Sequence, residues 1–293
     1  PAPRPPASPL NRRPERNGIE GMALALRRLA QDASRRVAYA LAPRFTAARS
    51  FARRRRAGLL DPELELVPDL LDPDRLGVDV GANAGFWTLA MAERARRVLA
   101  IEPIPEIAAA LLRRVPGHVR VLVCALSDRA GSACLRIPAD AGRATIEPAN
   151  TLHDGPPART LEVPLQRLDE LPLEARLGLV KIDVEGHELA VCRGAAGRLA
   201  ADRPCLVIEA EERHRPGAVA DLAAFLGGLG YQGFFLERCR LRGLAAFDPA
   251  RHQPVDGAGA PCPGPLGYVN NLLFVPPERR AALEAAVAAR FGG

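Results

Sequence analysis

The sequence predicts an α/β fold, a doubly wound and mostly parallel sheet with helices on both faces, preceded by a helical N-terminal extension. Three observations predict it. From residue 76 onward, short apolar runs alternate with helix-patterned stretches. A turn with glycines at Gly81 and Gly85 joins the first apolar run to the first helical stretch. The second apolar run ends in an acid, Glu102. Strand, glycine turn, helix and acid-ended strand form the unit with which a Rossmann-like sheet holds a nucleotide-like ligand.

The elements follow in order. Residues 1–18 are rich in Pro and Arg and are expected to be disordered. Residues 22–42 place Leu26, Leu29, Val37 and Leu41 among arginines, a helix of modest amphipathicity. A Pro-containing stretch at 61–73 then leads into the core. This divides the chain into an Arg/Pro-rich extension, 1–60, and a main domain, 61–293. Strands are expected at 77–80, 97–101, 119–124, 179–184, 205–209, 231–236 and 271–275, a seven-stranded sheet. Helices are expected at 86–93, 106–114, 188–199 and 219–228. Residues 138–160 and 243–267 are long, polar and rich in Gly and Pro. Both follow core strands, so they are expected either to cover a substrate or to be plain insertions.

Composition narrows the function classes. The 293 residues are 48% apolar, enough for one sizeable core. The formal charge of +6 is concentrated in the first 60 residues and is carried almost wholly by arginine. Aromatics make up only 4%, a poor basis for stacking on bases, so a nucleic-acid partner is not favoured. The cysteines Cys124, Cys134, Cys192, Cys205, Cys239 and Cys262 form no C-x-x-C pair and read as buried free thiols in a reducing cytosol. No apolar run is long enough to span a membrane, and no secretory signal is visible at the N-terminus. The expected location is cytoplasmic.

The glycine turn specifies its ligand by how it departs from a dinucleotide site. Gly-x-Gly-x-x-Gly would need glycines where Asn83 and Phe86 stand, which disfavours NAD and FAD. No Gly-Lys-Ser/Thr follows, which excludes a P-loop. The pattern present is Asp79-x-Gly81-x-Asn83-x-Gly85. It resembles the first motif of class I S-adenosylmethionine-dependent methyltransferases. That resemblance implies S-adenosyl-L-methionine as cofactor, with Gly81, Asn83 and Gly85 turning the backbone past it and Asp79 accepting from its ammonium. Glu102 is placed to accept from both ribose hydroxyls. Ser127 and Asp128, after the third strand, are where the family grips the adenine; a strand-end turn with Asp128 as a cap is the alternative.

A second dense stretch is Lys181-Ile182-Asp183-Val184-Glu185-Gly186-His187-Glu188. On a strand, Lys181, Asp183 and Glu185 share one side. Charges in a central strand are costly unless paired or functional. Lys181 is the only lysine in the chain, which suggests a position that demands an ammonium; a structural ion pair with Asp183 or Glu185 is the alternative. With this stretch, the chain resembles the FkbM family of methyltransferases. Leu168-Asp169, Ile208-Glu209 and Asn271-Leu-Leu-Phe-Val-Pro276 complete a likeness that covers roughly 76–277. It implies an antiparallel C-terminal strand and methylation of a hydroxyl on a sugar, glycan or secondary metabolite. An alcohol must lose its proton, so Asp183, Glu185 and His187 are the candidate bases, with Asp183 also toward the cofactor and Lys181 holding an acid ionised. No metal is expected, although Asp183, Glu185 and Glu209 end neighbouring strands. Two other readings stand beside this one: an RNA or protein methyltransferase using the basic N-terminal segment, and a non-catalytic binding module.

Overall fold

The computed structural model describes residues 42–150, 159–257 and 259–292. The expected disorder at 1–18 and almost all of the helix expected at 22–42 lie outside those residues. The first described helix is α1 (Pro43–Arg56), followed by a 3₁₀ turn (Pro62–Leu66) and α2 (Val67–Leu70). Then come β1 (Leu76–Val80), α3 (Phe86–Arg94), β2 (Arg97–Ile101), α4 (Pro105–Arg114) and β3 (Val119–Leu122). Next are β4 (Ala125–Leu126), β5 (Gly131–Ile137), β6 (Arg159–Gln166) and β7 (Leu177–Ile182). The chain continues through α5 (Glu188–Gly194), α6 (Ala196–Asp202), β8 (Cys205–Glu209), α7 (Ala218–Gly228), β9 (Gln232–Glu237) and β10 (Arg240–Gly243). It closes with α8 (Pro249–His252), β11 (Asn271–Val275) and α9 (Arg280–Phe291).

Strand order in the main sheet is β10-β9-β11-β8-β7-β1-β2-β3. The strands from β3 to β8 are parallel, and β11 runs antiparallel between β8 and β9. The seven expected strands are all present. The eighth, β10, forms a hairpin with β9 through Arg238 and Cys239, both at positive φ, and lengthens the edge. The order reverses between β1 and β7, and an open α/β sheet binds ligands outside its strand ends at such a point.

Alternation along the strands separates two cores. Val78, Val80, Leu99, Ile101, Val180, Ile182, Leu206 and Ile208 face α5, α6 and α7. Ala100, Leu179, Val207 and Leu273 face α1, α2, α3 and α9. Helix α1 carries six arginines and no acid, yet it is not a detached arm. Phe51 is fully buried and stacks on Phe86 at 6.5 Å, a side-chain burial that contributes about 2–3 kcal/mol.

Two elements differ from expectation for local reasons. The helix expected at 188–199 breaks at Ala195 into α5 and α6. There Gly194 passes so close to Ser127 that a Cβ would sit 1.9 Å from its carbonyl oxygen. The long segment 138–160 is flanked by a small second sheet that was not expected, in which β5 and β6 pair antiparallel and β4 joins β6 in parallel. No helix among the described residues is long and apolar enough to cross a membrane. Of the cysteines, Cys124, Cys192 and Cys205 are buried as expected, while Cys134, Cys239 and Cys262 are exposed.

Candidate active site

The glycine turn is held from both sides. The amides of Gly81 and Ala82 donate to the Ile101 carbonyl at 2.9 and 3.0 Å, and Gly85 N–H donates to Ala82 at 2.7 Å. Gly81, Asn83 and Gly85 all have positive φ, at 79°, 43° and 81°. Gly81 is obligatory for a second reason: a Cβ there would lie 1.9 Å from the Asp183 carbonyl oxygen. The turn is thereby pressed against the end of β7, and Asp183 N–H donates to Val80 at 3.0 Å.

On one side of that contact lies a first chamber. Val80, Gly81, Asn83, Glu102, Ile104, Ala125, Leu126, Leu135, Ile146, Asp183, Glu185 and His187 are among the residues that line it. Glu102 is buried, and its two oxygens accept from the amides of Asn83 and Ile104, both at 2.9 Å. Burial raises its pKa above the usual carboxylate range, against the pull of those two amides. Each oxygen keeps a lone pair for a further donor. The rest of the wall is largely aliphatic, as a flat heterocycle requires.

The segment after β5 closes this chamber, with Ala141, Gly142, Ala144 and Ile146 on its wall. Thr145 Oγ1 and Asn150 Nδ2 both donate to the Glu185 carbonyl at 2.8 Å. Glu185 holds φ at 55° in the turn, so its side chain leaves the row that Lys181 and Asp183 share. Its carboxylate lies 3.0 Å from His214 Nε2, with Glu211 3.7 Å from the same nitrogen. Burial works against a charge on His214, but the bond to Glu185 and the two carboxylates outweigh it and raise the pKa. His187 bridges the closing segment to the body: Nδ1 is 3.1 Å from Glu147 Oε2, and Nε2 is 3.0 Å from Ser127 Oγ. Ser, His and Glu are thus in the order of a hydrolytic triad, but Ser127 is fully buried and no acyl substrate can reach its oxygen. Ser127 therefore stands behind the wall. Asp128 is exposed and lies 3.7 Å from Arg129. The Cys124 thiol, also on the wall, is pushed up to about 11 by burial and stays protonated.

On the other side of the Gly81–Asp183 contact lies a second chamber. It is lined by the turn from Gly81 to Trp87, by Asp79, Lys181 and Asp183, and by Leu59, Leu60, Asp61 and Leu64. Asp79 and Lys181 are register partners on β1 and β7, on the sheet face opposite the Val78–Val80 core. Thr88 Oγ1 donates to Asp79 Oδ2 at 2.5 Å. Lys181 is buried, with Nζ 2.6 Å from Asn271 Oδ1, 3.8 Å from Glu209 and 5.3 Å from the Trp87 ring centre. Burial opposes its charge, yet Asp183, Glu209, Asp61 and Asp79 together raise its pKa. Loss of hydration drives the acids up in turn: Asp79 to about 6, Asp183 and Glu63 to about 7, and Glu209 to about 8. Lys181 thus pairs with Glu209 rather than Glu185. Among the described residues no group of three acids, histidines or cysteines could hold a metal ion.

Asp79, Gly81, Asn83, Gly85, Glu102, Lys181, Asp183, Glu185 and His187 are therefore brought to one divided cleft. Asp61 and Trp87 join them, with Glu63, Glu147 and His214 behind the walls, none of them singled out in the sequence. The described part of 243–267 lines neither chamber. It braces the turn after β8 instead, where Gln253 Nε2 donates to Ala210 at 2.7 Å and to Val269 at 2.8 Å.

Comparison with known proteins follows the same outline. A family model described as the methyltransferase FkbM domain matches residues 79–232, more than half of the chain. A solved FkbM methyltransferase from Methylobacillus flagellatus is similar at 18% identity and a TM-score of 0.45, over 75% of this chain and 46% of that one. The chain therefore spans less than half the length of that protein. An O-methyltransferase from Bacillus cereus, solved with S-adenosylhomocysteine, is similar at 12% identity and a TM-score of 0.41, over 83% of this chain and 96% of that one. A Streptococcus pneumoniae protein described as a putative tRNA methyltransferase, solved with S-adenosylmethionine, is similar at 13% identity and 0.40, over 74% and 72%. Likenesses this low assign no acceptor. No curated protein matches the chain.

Proposed function

Since the chain belongs to the FkbM methyltransferase family, we propose that it transfers a methyl group from S-adenosylmethionine to a hydroxyl of a sugar, glycan or secondary metabolite. The observation that carries the reading is the cleft in which Gly81, Glu102 and Asp183 meet at the reversal point of the sheet.

The residues present fit the cofactor. Glu102 has lone pairs to spare for two ribose hydroxyls, and Ile104, Ala125, Leu126 and Ile146 offer aliphatic faces to an adenine. Gly81, with no Cβ, lets the turn close on the Asp183 carbonyl and so brings the ends of β1 and β7 to one wall of the cleft. Bound there, S-adenosylmethionine supplies an electrophilic methyl group on a sulfonium. The chain's own residues then position and deprotonate the acceptor. Asp183, shared by both chambers, is the base this geometry favours. With its pKa near 7, it is partly ionised at neutral pH and still basic enough to draw a proton from a hydroxyl. Lys181, fixed by Asn271, holds the ionised form. His187 has both ring nitrogens engaged, and the Glu185 carboxylate lies at ion-pair distance from His214, so we assign both to the wall rather than to the proton. Among the described residues no arginine lines either chamber, and Lys181 is already engaged with Asn271 and Glu209, which favours an uncharged hydroxylated acceptor over the phosphates of RNA.

The test is transfer of a labelled methyl group to a panel of hydroxylated glycans and metabolites, with total RNA alongside. Label on a hydroxyl of the first group, lost in Asp183→Asn, supports the reading. Label on RNA alone would reverse it.

A further inference from the structure

The residues before β1 lie outside the matched family region, yet Leu59, Leu60, Asp61 and Leu64 form one wall of the second chamber. We propose that Asp61 is the counter-ion for the α-ammonium of the cofactor's amino-acid end, held in place by the indole of Trp87. The inference rests on the proposed function, since it presumes adenosine in the first chamber.

Four observations carry it. First, the chambers share Gly81, Asn83 and Asp183 as a common wall, so a ligand seated by its nucleoside in the first extends its tail into the second. Second, the Asp61 carboxylate is oriented but not used up. Oδ2 accepts from Trp87 Nε1 at 3.0 Å, and the described residues give the carboxylate no other hydrogen bond. Third, the chamber is short of positive charge. Asp61, Asp79 and Asp183 line it, against Lys181 alone, whose ammonium already faces Asn271 and Glu209. Asp79 accepts from Thr88 and is fully buried, which leaves Asp61 the freer of the two carboxylates. Fourth, Phe86 and Trp87 bring the first turn of α3 to the same chamber. Amides there have no acceptor inside the helix and suit an anion. An acid and a helix N-terminus in one chamber complement the two ends of a zwitterionic amino acid.

The chain has a single tryptophan, Trp87, so intrinsic fluorescence reports on this chamber alone. The experiment titrates wild type and Asp61→Asn with S-adenosylhomocysteine, which carries the amino-acid tail, and with 5′-methylthioadenosine, which lacks it. Calorimetry gives affinities and Trp87 emission gives occupancy of the chamber. Wild type is expected to bind the tailed ligand more tightly and with a change in emission, and the tailless one without that change. Asp61→Asn is expected to weaken the tailed ligand roughly ten- to a hundred-fold while moving the tailless one by less than about twofold, the loss of one charge-assisted contact. Binding of 5′-methylthioadenosine also shows that the variant is folded. Equal affinity of Asp61→Asn and wild type for the tailed ligand would overturn the inference and leave the proposed function standing, as would an equal loss for both ligands. Failure of wild type to bind either nucleoside would overturn both.

Discussion

The two chambers are adjacent but made of different materials. The first recognises by shape: backbone amides, aliphatic faces, and one carboxylate, Glu102, already tied by two N–H groups. The second recognises by charge, with Asp61, Asp79, Lys181 and Asp183 on its wall and Glu63 and Glu209 close behind. A shape-built site costs the folded protein little when empty. A charge-built one is held together by a single ammonium and carries raised carboxyl pKa values as the sign of its strain. Binding and stability should therefore respond to different perturbations on the two sides.

The largest expected effect is on the charged side. Among the described residues Lys181 is the one cation lining the second chamber; Lys181→Met removes it, and breaking a buried pair in this way costs about 3–5 kcal/mol. Urea denaturation at pH 8 should show that loss. At pH 5 the loss should shrink, because the acids then hold protons and need no partner. An equal loss at both values would mean that Lys181 contributes by packing alone.

Next comes Gly81→Ala, which acts on the wall the chambers share. The positive φ and the clash with the Asp183 carbonyl force the turn away from β7. Cofactor affinity should fall at least about a hundred-fold, equivalent to roughly 3 kcal/mol. Wild-type affinity in this variant would show that the turn does not touch the cofactor.

A smaller effect is the pH dependence of stability. Asp79, Glu63, Asp183 and Glu209 have folded-state pKa values of about 6, 7, 7 and 8, all above those of an unfolded chain. Folding therefore takes up protons. The contribution is complete below about pH 4 and is lost as the pH rises through 6 to 8. The denaturation midpoint should fall over that range, and Glu209→Gln should flatten the fall. A midpoint that rises instead would contradict the desolvation account.

The smallest is on the shape-built side. His187→Ala cuts one of several ties holding the segment 138–150 over the first chamber. Adenosine affinity should weaken only several-fold, with methyl transfer retained in proportion. Complete loss of transfer with normal binding would instead make His187 the base.

What could be read in the sequence follows the same division. Glu102, Asp183 and the glycine turn sit at strand ends, where a period of two and the loop between two elements fix their place. Asp61, Glu147 and His214 come from stretches without periodicity and reach the cleft only through tertiary packing. The β5–β6 hairpin was hidden for another reason. Few of its strand positions are buried, β6 carries Pro164, and Leu135, Ile137 and Val163 serve a small separate cluster. Strand alternation carried past Ile182 puts Glu185 on the wrong side. The strand ends at Ile182, and a positive φ at Glu185 turns the side chain toward His214.

The central claim is that the cleft seats S-adenosylmethionine across both chambers with Glu102 on its ribose. Isothermal titration calorimetry of wild type and Glu102→Gln with S-adenosylmethionine tests it most directly. The account predicts one site per chain in wild type and an affinity about ten-fold or more lower in the variant, whose amide can accept on one atom only. Absence of binding in wild type, or equal affinity in the two proteins, would contradict it.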